Sequence, residues 1–256
     1  MADTPIAPRY AGLVVLVTGA ASGIGRASAL RISAEGGEVW CTDLDAEGAA
    51  ATAGEIAAAG GTAHARAVNV TDFDATAALV AEIVETSGGL DVLCNIAGVG
   101  GMRHFPDETP DGLRRMMAVN LEGPFFLCQA ALPHLIERRG AIVNLASTAG
   151  IIGQAYCAAY NSSKHALVGL TRSLAIEFGR TGVRVNAVCP GGVNTPILGE
   201  FMPPEGASMS LISRAFLDMN MQEPESVAAM VAYVGSPEAH YVNGAVLSID
   251  AGTTAG

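Results

Sequence analysis

Short apolar runs alternate with longer stretches of helical period along most of the chain, and this alternation constrains the fold more than any other feature. Leu13-Val14-Val15-Leu16-Val17 is apolar without interruption and ends at Thr18-Gly19. A strand apolar on both faces belongs in a parallel sheet covered on both sides. Further strand candidates are Glu38 to Thr42, Ala63 to Val68, Asp91 to Cys94, Ala141 to Leu145, Val183 to Val188 and Ala245 to Ile249. Helical patterns lie between them over 23–35, 46–59, 72–87, 109–137, 155–179 and 224–235, with Asp72 reading as a helix start. The pattern predicts an α/β Rossmann fold: a doubly wound parallel sheet of about seven strands, right-handed crossovers and helices on both faces. No linker or internal repeat divides residues 1–256, so one domain is expected. Residues 194–222 break the alternation with Pro203-Pro204 and with Met202, Met209, Met219 and Met221, and read as an adaptable flap.

Composition excludes several functions. Half the residues are hydrophobic and 15% are charged, enough for a sizeable core. A net charge of −11 leaves no basic surplus for a nucleic-acid partner. Cys41, Cys94, Cys128, Cys157 and Cys189 are widely spaced, without a C-x-x-C pair, so no metal site is expected. Their odd number, and a start (Met1-Ala2-Asp3-Thr4-Pro5) unlike a secretory leader, point to reduced thiols in the cytoplasm. No apolar run approaches the roughly 20 residues of a membrane helix.

After the first strand comes Thr18-Gly19-Ala20-Ala21-Ser22-Gly23-Ile24-Gly25. A strand turning sharply into a helix, with backbone free to approach a pyrophosphate, needs glycine at such positions. The helix N-terminus then offers N–H groups and a positive dipole end to the anion. Gly19, Ser22, Gly23, Ile24 and Gly25 are therefore cofactor-binding candidates. Asp43 closes the second strand about 20 residues on, where an acid accepts from ribose hydroxyls and repels a 2′-phosphate. Ser22 and Leu44 supply no compensating cation, which favours NAD over NADP. The other reading of Asp43 is a cap for the helix starting near Asp45.

Lys164 is the only lysine in the chain, and it follows Tyr160 by four residues. On a helix the two share a face. Lowering a phenol from its usual ~10 by about 3 units needs roughly 4 kcal/mol, part of which a nearby ammonium can supply and part an oxidised, positively charged nicotinamide. A compact ammonium on a flexible stem can also reach ribose hydroxyls, which a planar arginine fork does less well.

With these residues the chain resembles the short-chain dehydrogenases/reductases over nearly its whole length. Gly19-x-x-x-Gly23-x-Gly25 is similar to the family's cofactor turn, and Tyr160-x-x-x-Lys164 to its catalytic pair. Ser147, 13 residues before Tyr160, stands where the family places its catalytic serine, and Asn120 matches its helix asparagine. Pro190-Gly191-Gly192-Val193-Asn194-Thr195 resembles the segment beside the nicotinamide. Two departures are visible. Asn95-Ile96-Ala97-Gly98 replaces the usual Asn-Asn-Ala-Gly, and Asn69, before Val70, stands where Asp is common. The resemblance implies cofactor contacts at Asn95, Ala97, Gly98, Pro190, Gly191, Val193 and Thr195, with Asn69 and Val70 at the adenine.

It also implies hydride transfer between NAD and a secondary alcohol or ketone. Tyr160 exchanges the proton, Ser147 holds the substrate oxygen, Lys164 binds ribose and lowers the tyrosine, and Asn120 holds a water. Each has a plainer role open to it: Ser147 and Thr195 as caps, Asn120 as a partner for buried backbone. The flap, with Met102, Met116 and Met117, suggests a mid-sized apolar substrate, while Arg103 and Arg214 are expected at the surface. The family implies a homotetramer paired partly through the small-residue helix around Ala158 to Gly169. The alternatives are an NADPH-dependent reductase of 3-oxoacyl chains on a carrier protein, with Arg114, Arg115, Arg138 and Arg139 as its docking patch, and a non-catalytic dinucleotide-binding scaffold.

Overall fold

A computed structural model describes residues 8–215 and 221–255. Met219 and the first residues, Met1 to Pro5, lie outside the described residues. Seven parallel strands form one sheet in the order β3-β2-β1-β4-β5-β6-β7. These are β1 (Val14–Thr18), β2 (Glu38–Asp43), β3 (Ala63–Ala67), β4 (Val92–Asn95), β5 (Ala141–Leu145), β6 (Arg184–Pro190) and β7 (Val246–Ile249). All seven expected strands form, with ends shifted by at most two residues.

Alternation along each strand sends side chains to opposite faces, and β1 shows how both become core. Val15 and Val17 join a cluster with Ile32, Ile56, Val227 and Val231. These come from α1 (Gly23–Ala34), α2 (Ala46–Ala58) and α8 (Pro224–Gly235). Val14 and Leu16 face Leu79, Ile83, Leu127 and Leu135 on the other side. Those belong to α3 (Phe73–Ser87) and α5 (Gly123–Arg138). A strand buried on both faces has no polar side to give away, which is why its sequence reads as a continuous apolar run. β3, at the sheet edge, is exposed over half its length and carries Arg66, paired with Glu82.

Two helices depart from the sequence expectation. The stretch expected as one helix over 109–137 is α4 (Pro110–Met117), a π-helical turn over Ala118–Glu122, and then α5. Pro124 has no N–H for the carbonyl of Asn120 one turn back, so the regular ladder breaks there. The helix expected from 155 begins three residues later, as α6 (Ala158–Phe178). Tyr156 sits just before it with φ of 65°, which no right-handed helix contains. The remaining helix, α7 (Met209–Ile212), is a single turn after β6.

Candidate active site

Strand order reverses at β1, whose neighbours are β2 and β4. The helices leaving the two halves of a doubly wound sheet part at that point and open a crevice at the carboxyl ends of the strands. A cleft of about 820 Å³ lies there. Gly19 and Gly23 turn the chain with φ of 70° and 51°. A Cβ on Gly25 would overlap the Gly19 carbonyl oxygen, and one on Gly23 would lie 3.0 Å from the Thr195 methyl. The turn is braced from outside: Thr52 Oγ1 donates to the Ala20 carbonyl at 2.8 Å, and Ala20 N–H donates to Thr42 at 3.0 Å. Asp45, Asp72 and Thr109 cap α2, α3 and α4 through their side chains, whereas Ser22 makes no such bond to α1. The first-turn N–H groups of α1 are thus left for a ligand at the cleft, a donor set suited to phosphate.

Asp43 lines the same end of the cleft. Its Oδ2 accepts from Ala21 N–H at 3.0 Å and its Oδ1 from Asp45 N–H at 3.1 Å, while Asp45 itself caps α2. The carboxylate thus ties β2 to the glycine turn, and each oxygen keeps a lone pair for a ligand. Asn69 and Val70 also line the cleft. The Asn69 carbonyl oxygen already accepts from Thr71 N–H and Thr71 Oγ1, at 3.1 and 2.9 Å. The expected contact from that oxygen to an adenine amino group therefore meets a filled acceptor, leaving the Nδ2 group for a ligand.

Asn95 differs from its expected place. It is buried away from the cleft wall, which continues with Ile96, Ala97 and Gly98. Asn95 Nδ2 donates to Asn144 Oδ1 at 2.9 Å, and Asn144 Nδ2 to Thr171 Oγ1 at 2.9 Å. This buried chain joins β4, β5 and α6. The residue that pins the end of β4 is Thr18, whose Oγ1 accepts from Ile96 and Ala97 N–H at 2.9 and 3.0 Å. Sequence reading missed that role, although a hydroxyl at the end of an apolar strand was a usable signal.

Ser147, Tyr160 and Lys164 meet at the other end of the cleft, with Pro190, Gly191, Val193 and Thr195 beside them. Ser147 caps a short 3-10 turn by accepting from Ala149 N–H at 3.1 Å, and it lines the cleft beside Tyr160. Thr195 precedes the 3-10 turn Pro196–Glu200 without capping it through its side chain. Lys164 is 4% exposed and its Nζ donates to the Leu145 carbonyl at 2.8 Å. That nitrogen stands 5.8 Å from the Tyr160 ring centroid. Burial pushes the Tyr160 phenol up to about 12, against a smaller downward pull from Ser147. Burial likewise lowers the Lys164 ammonium to about 8. Among the protein's own groups, desolvation of the phenolate outweighs an ammonium that donates to a carbonyl, which leaves the expected lowering to the positive charge of an oxidised nicotinamide.

Asn120 lies behind the cleft in the π turn, fully buried. Its Nδ2 donates to the Val99 carbonyl and to Ser163 Oγ at 2.9 and 3.0 Å, and its Oδ1 accepts from Val99 N–H at 2.9 Å. Both amide protons are engaged in holding backbone and α6, the plainer of its two expected roles. One Oδ1 lone pair remains for a water.

Leu198, Phe201, Pro203, Ile212, Ala215 and Met221 form the wall opposite Tyr160. The methionine expectation is corrected here. Met221 and Met102 line the cleft, but Met202 and Met209 face outward, 69% and 58% exposed. Short 3-10 and α turns, having fewer than two full turns, cannot turn every apolar residue inward. Met116 is buried in the cluster behind Tyr160. Arg103, paired with Glu108 at 3.8 Å, and Arg214 are exposed and do not line the cleft. The four arginines considered as a docking patch divide. Arg115 lines this cleft, while Arg138 and Arg139 line a smaller cavity at the opposite ends of the strands.

The family model described as Enoyl-(Acyl carrier protein) reductase matches residues 19–254. A meso-2,3-butanediol dehydrogenase from Serratia marcescens is 37% identical over 247 residues, covering 96% of each chain. The chain belongs to the short-chain dehydrogenase/reductase family. Among solved structures, a short-chain dehydrogenase from Mycobacterium paratuberculosis bound to NAD is 31% identical with a TM-score of 0.91, over 97% of this chain and 100% of that one. A short-chain dehydrogenase from Burkholderia cenocepacia in complex with NADP is 34% identical with a TM-score of 0.86, over 96% and 99%. This short-chain dehydrogenase/reductase has no helix among its described residues long and apolar enough to cross a membrane. Its five cysteines are free and buried, and burial raises each thiol to about 11 or 12.

Proposed function

We propose that this short-chain dehydrogenase/reductase interconverts a secondary alcohol and its ketone with NAD(H), as a single catalytic domain. The observation that carries the reading is one cleft joining two ends: uncapped helix N–H groups and Asp43 at one, and Ser147, Tyr160 and Lys164 at the other. A bound nicotinamide dinucleotide would supply the hydride carrier and, when oxidised, a positive charge. The α1 N-terminus would hold its phosphates, Asp43 its adenosine ribose, and Lys164, with two protons left beyond the Leu145 bond, its second ribose.

In the reductive direction Tyr160 gives its proton to the substrate oxygen while Ser147 fixes that oxygen by a hydrogen bond. In oxidation Tyr160 takes the hydroxyl proton back. A phenol held near 12 carries its proton at neutral pH, so reduction finds a proton to give, while oxidation needs the scarce phenolate, which added positive charge beside it would favour. Asn120 keeps Val99 and α6 in place, with its free lone pair available to a water that reaches Lys164. Val99, Phe201, Leu198 and Ile212 favour an apolar substituent on the reacting carbon. A homotetramer paired partly through α6, in the cytoplasm, goes with this reading, and solution mass tests the assembly.

The second reading is the NADPH-dependent reduction of 3-oxoacyl chains on a carrier protein. Similarity to a 3-oxoacyl-(acyl-carrier-protein) reductase from Thermotoga maritima, 36% identical over 245 residues, supports it, while Asp43, the net charge of −11 and the divided arginines favour the first. Initial rates with NADH and NADPH across a panel of secondary alcohols and ketones test both. Faster turnover with NADH is expected. Firm dinucleotide binding with no turnover of any member would overturn the proposal in favour of a scaffold.

A further inference from the structure

We propose that Phe201 is the gate of the substrate cleft, closing over Tyr160 from a seat on Gly100, and that Tyr156 and His104 latch the segment that carries it. The Phe201 ring meets the Tyr160 ring edge to face, with centroids 5.1 Å apart at 79°. Val99, Met102 and Phe201 together cover the buried cluster of Met116, Cys157 and Tyr160. Gly100 is not one of the left-handed glycines, so its backbone conformation admits alanine. The three atoms nearest to a Cβ placed there all belong to the Phe201 ring, and two would overlap it. What glycine provides at position 100 is room for that ring.

Two polar contacts hold the segment after Phe201 against the body. Ser208 N–H donates to Tyr156 Oη at 2.8 Å, and His104 Nε2 lies 2.8 Å from the Glu205 carbonyl oxygen. The His104 and Tyr156 rings pack edge to face at 5.1 Å, and Arg103 N–H donates to the Tyr156 carbonyl at 2.7 Å. Tyr156 takes the left-handed conformation, which a bulky residue keeps only where its surroundings hold it. The strained residue is thus also the one that grips the segment. A ring seated over the phenol excludes water from the reacting oxygen and offers an apolar wall to whatever substituent the carbinol carbon bears. This selection of apolar alcohols rests on the alcohol–ketone reading above.

Michaelis constants for isopropanol and for a long-chain secondary alcohol, measured on F201A, G100A, the double variant and F201L, test the gate. F201A and G100A are expected to raise KM for the long-chain alcohol at least about tenfold, with little change for isopropanol. The double variant should be no worse than either single one, since both remove the same contact. F201L should recover most of the loss. Additive losses, equal losses on both alcohols, or no recovery in F201L overturn the gate. Hydrogen exchange over residues 201–208 tests the latch without any turnover: Y156F should lose the protection of the Ser208 amide. Protection equal to that of the native chain overturns the latch. Should the native chain oxidise no alcohol, the functional reading falls while exchange still decides the latch, and exchange in G100A, which should also fall, decides the seat.

Discussion

At the nucleotide end of the cleft the wall is backbone: Gly19, Gly23 and Gly25 let the chain turn, and the N–H groups of α1 face inward. At the substrate end the wall is side chain: Tyr160 against Phe201, with Met102, Leu198 and Ile212 around them. The first end is built within eight consecutive residues, plus the Asp43 brace. The second draws on the loop after β4, on α6 and on the segment after β6. A backbone site tolerates almost no added atom and recognises a fixed chemical group. A side-chain site can be refitted piece by piece, so its occupant can change while the fold stays.

The largest expected effect belongs to the substrate end. Tyr160→Phe should lower kcat by about a thousandfold, within the range for removing a general acid or base. Coenzyme affinity, read by titration, should stay within about twofold. Near-normal turnover would break the division between the two ends, since the phenol would then be only a wall. Next comes the backbone end. Gly25→Ala pushes a methyl into the Gly19 carbonyl. A loss on the order of 3 kcal/mol in stability is expected, the scale of overpacking at a special backbone site, together with lost coenzyme binding. A variant that melts and binds like the native chain would show that the turn is not close-packed.

The Asp43 carboxylate gives a smaller effect that sharpens the comparison. Asp43→Asn keeps a carbonyl able to accept from Ala21 N–H but removes the charge. Preference for NADH over NADPH should fall about tenfold, the usual size of one charged hydrogen bond, with melting little changed. An unchanged ratio of the two rates would remove Asp43 from coenzyme selection.

Lys164 offers the smallest and least intuitive effect. Its folded value of about 8 lies below the unfolded 10.5, so the unfolded chain binds more protons between those values and the native state gains stability as pH rises from 8 to 10.5. Below pH 8 the buried charge costs on the order of 3 kcal/mol, offset by its bond to the Leu145 carbonyl. Lys164→Met should therefore raise stability at pH 7 by about 1 kcal/mol without coenzyme, while abolishing turnover. The gain should vanish by pH 10.5. Tyr160 acts in the opposite sense at higher pH: its raised value contributes stability that is complete below pH 10 and lost as pH climbs through about 12. A Lys164→Met chain less stable than native at pH 7 would place more weight on the Leu145 bond than on the buried charge.

The sequence by itself determined the sheet, the glycine turn and the spacing of Tyr160 and Lys164. These depend on local period, on steric limits at single residues and on one helical turn, all of which a linear string records. Only the tertiary structure decided that Asn95 faces Asn144 in the core, that Phe201 rests on Gly100, and that the lysine donates to the Leu145 carbonyl. It also decided the sign of the tyrosine's shift. Desolvation depends on everything packed around a group, and the residues that dry Tyr160 come from five separate parts of the chain whose meeting no local pattern encodes.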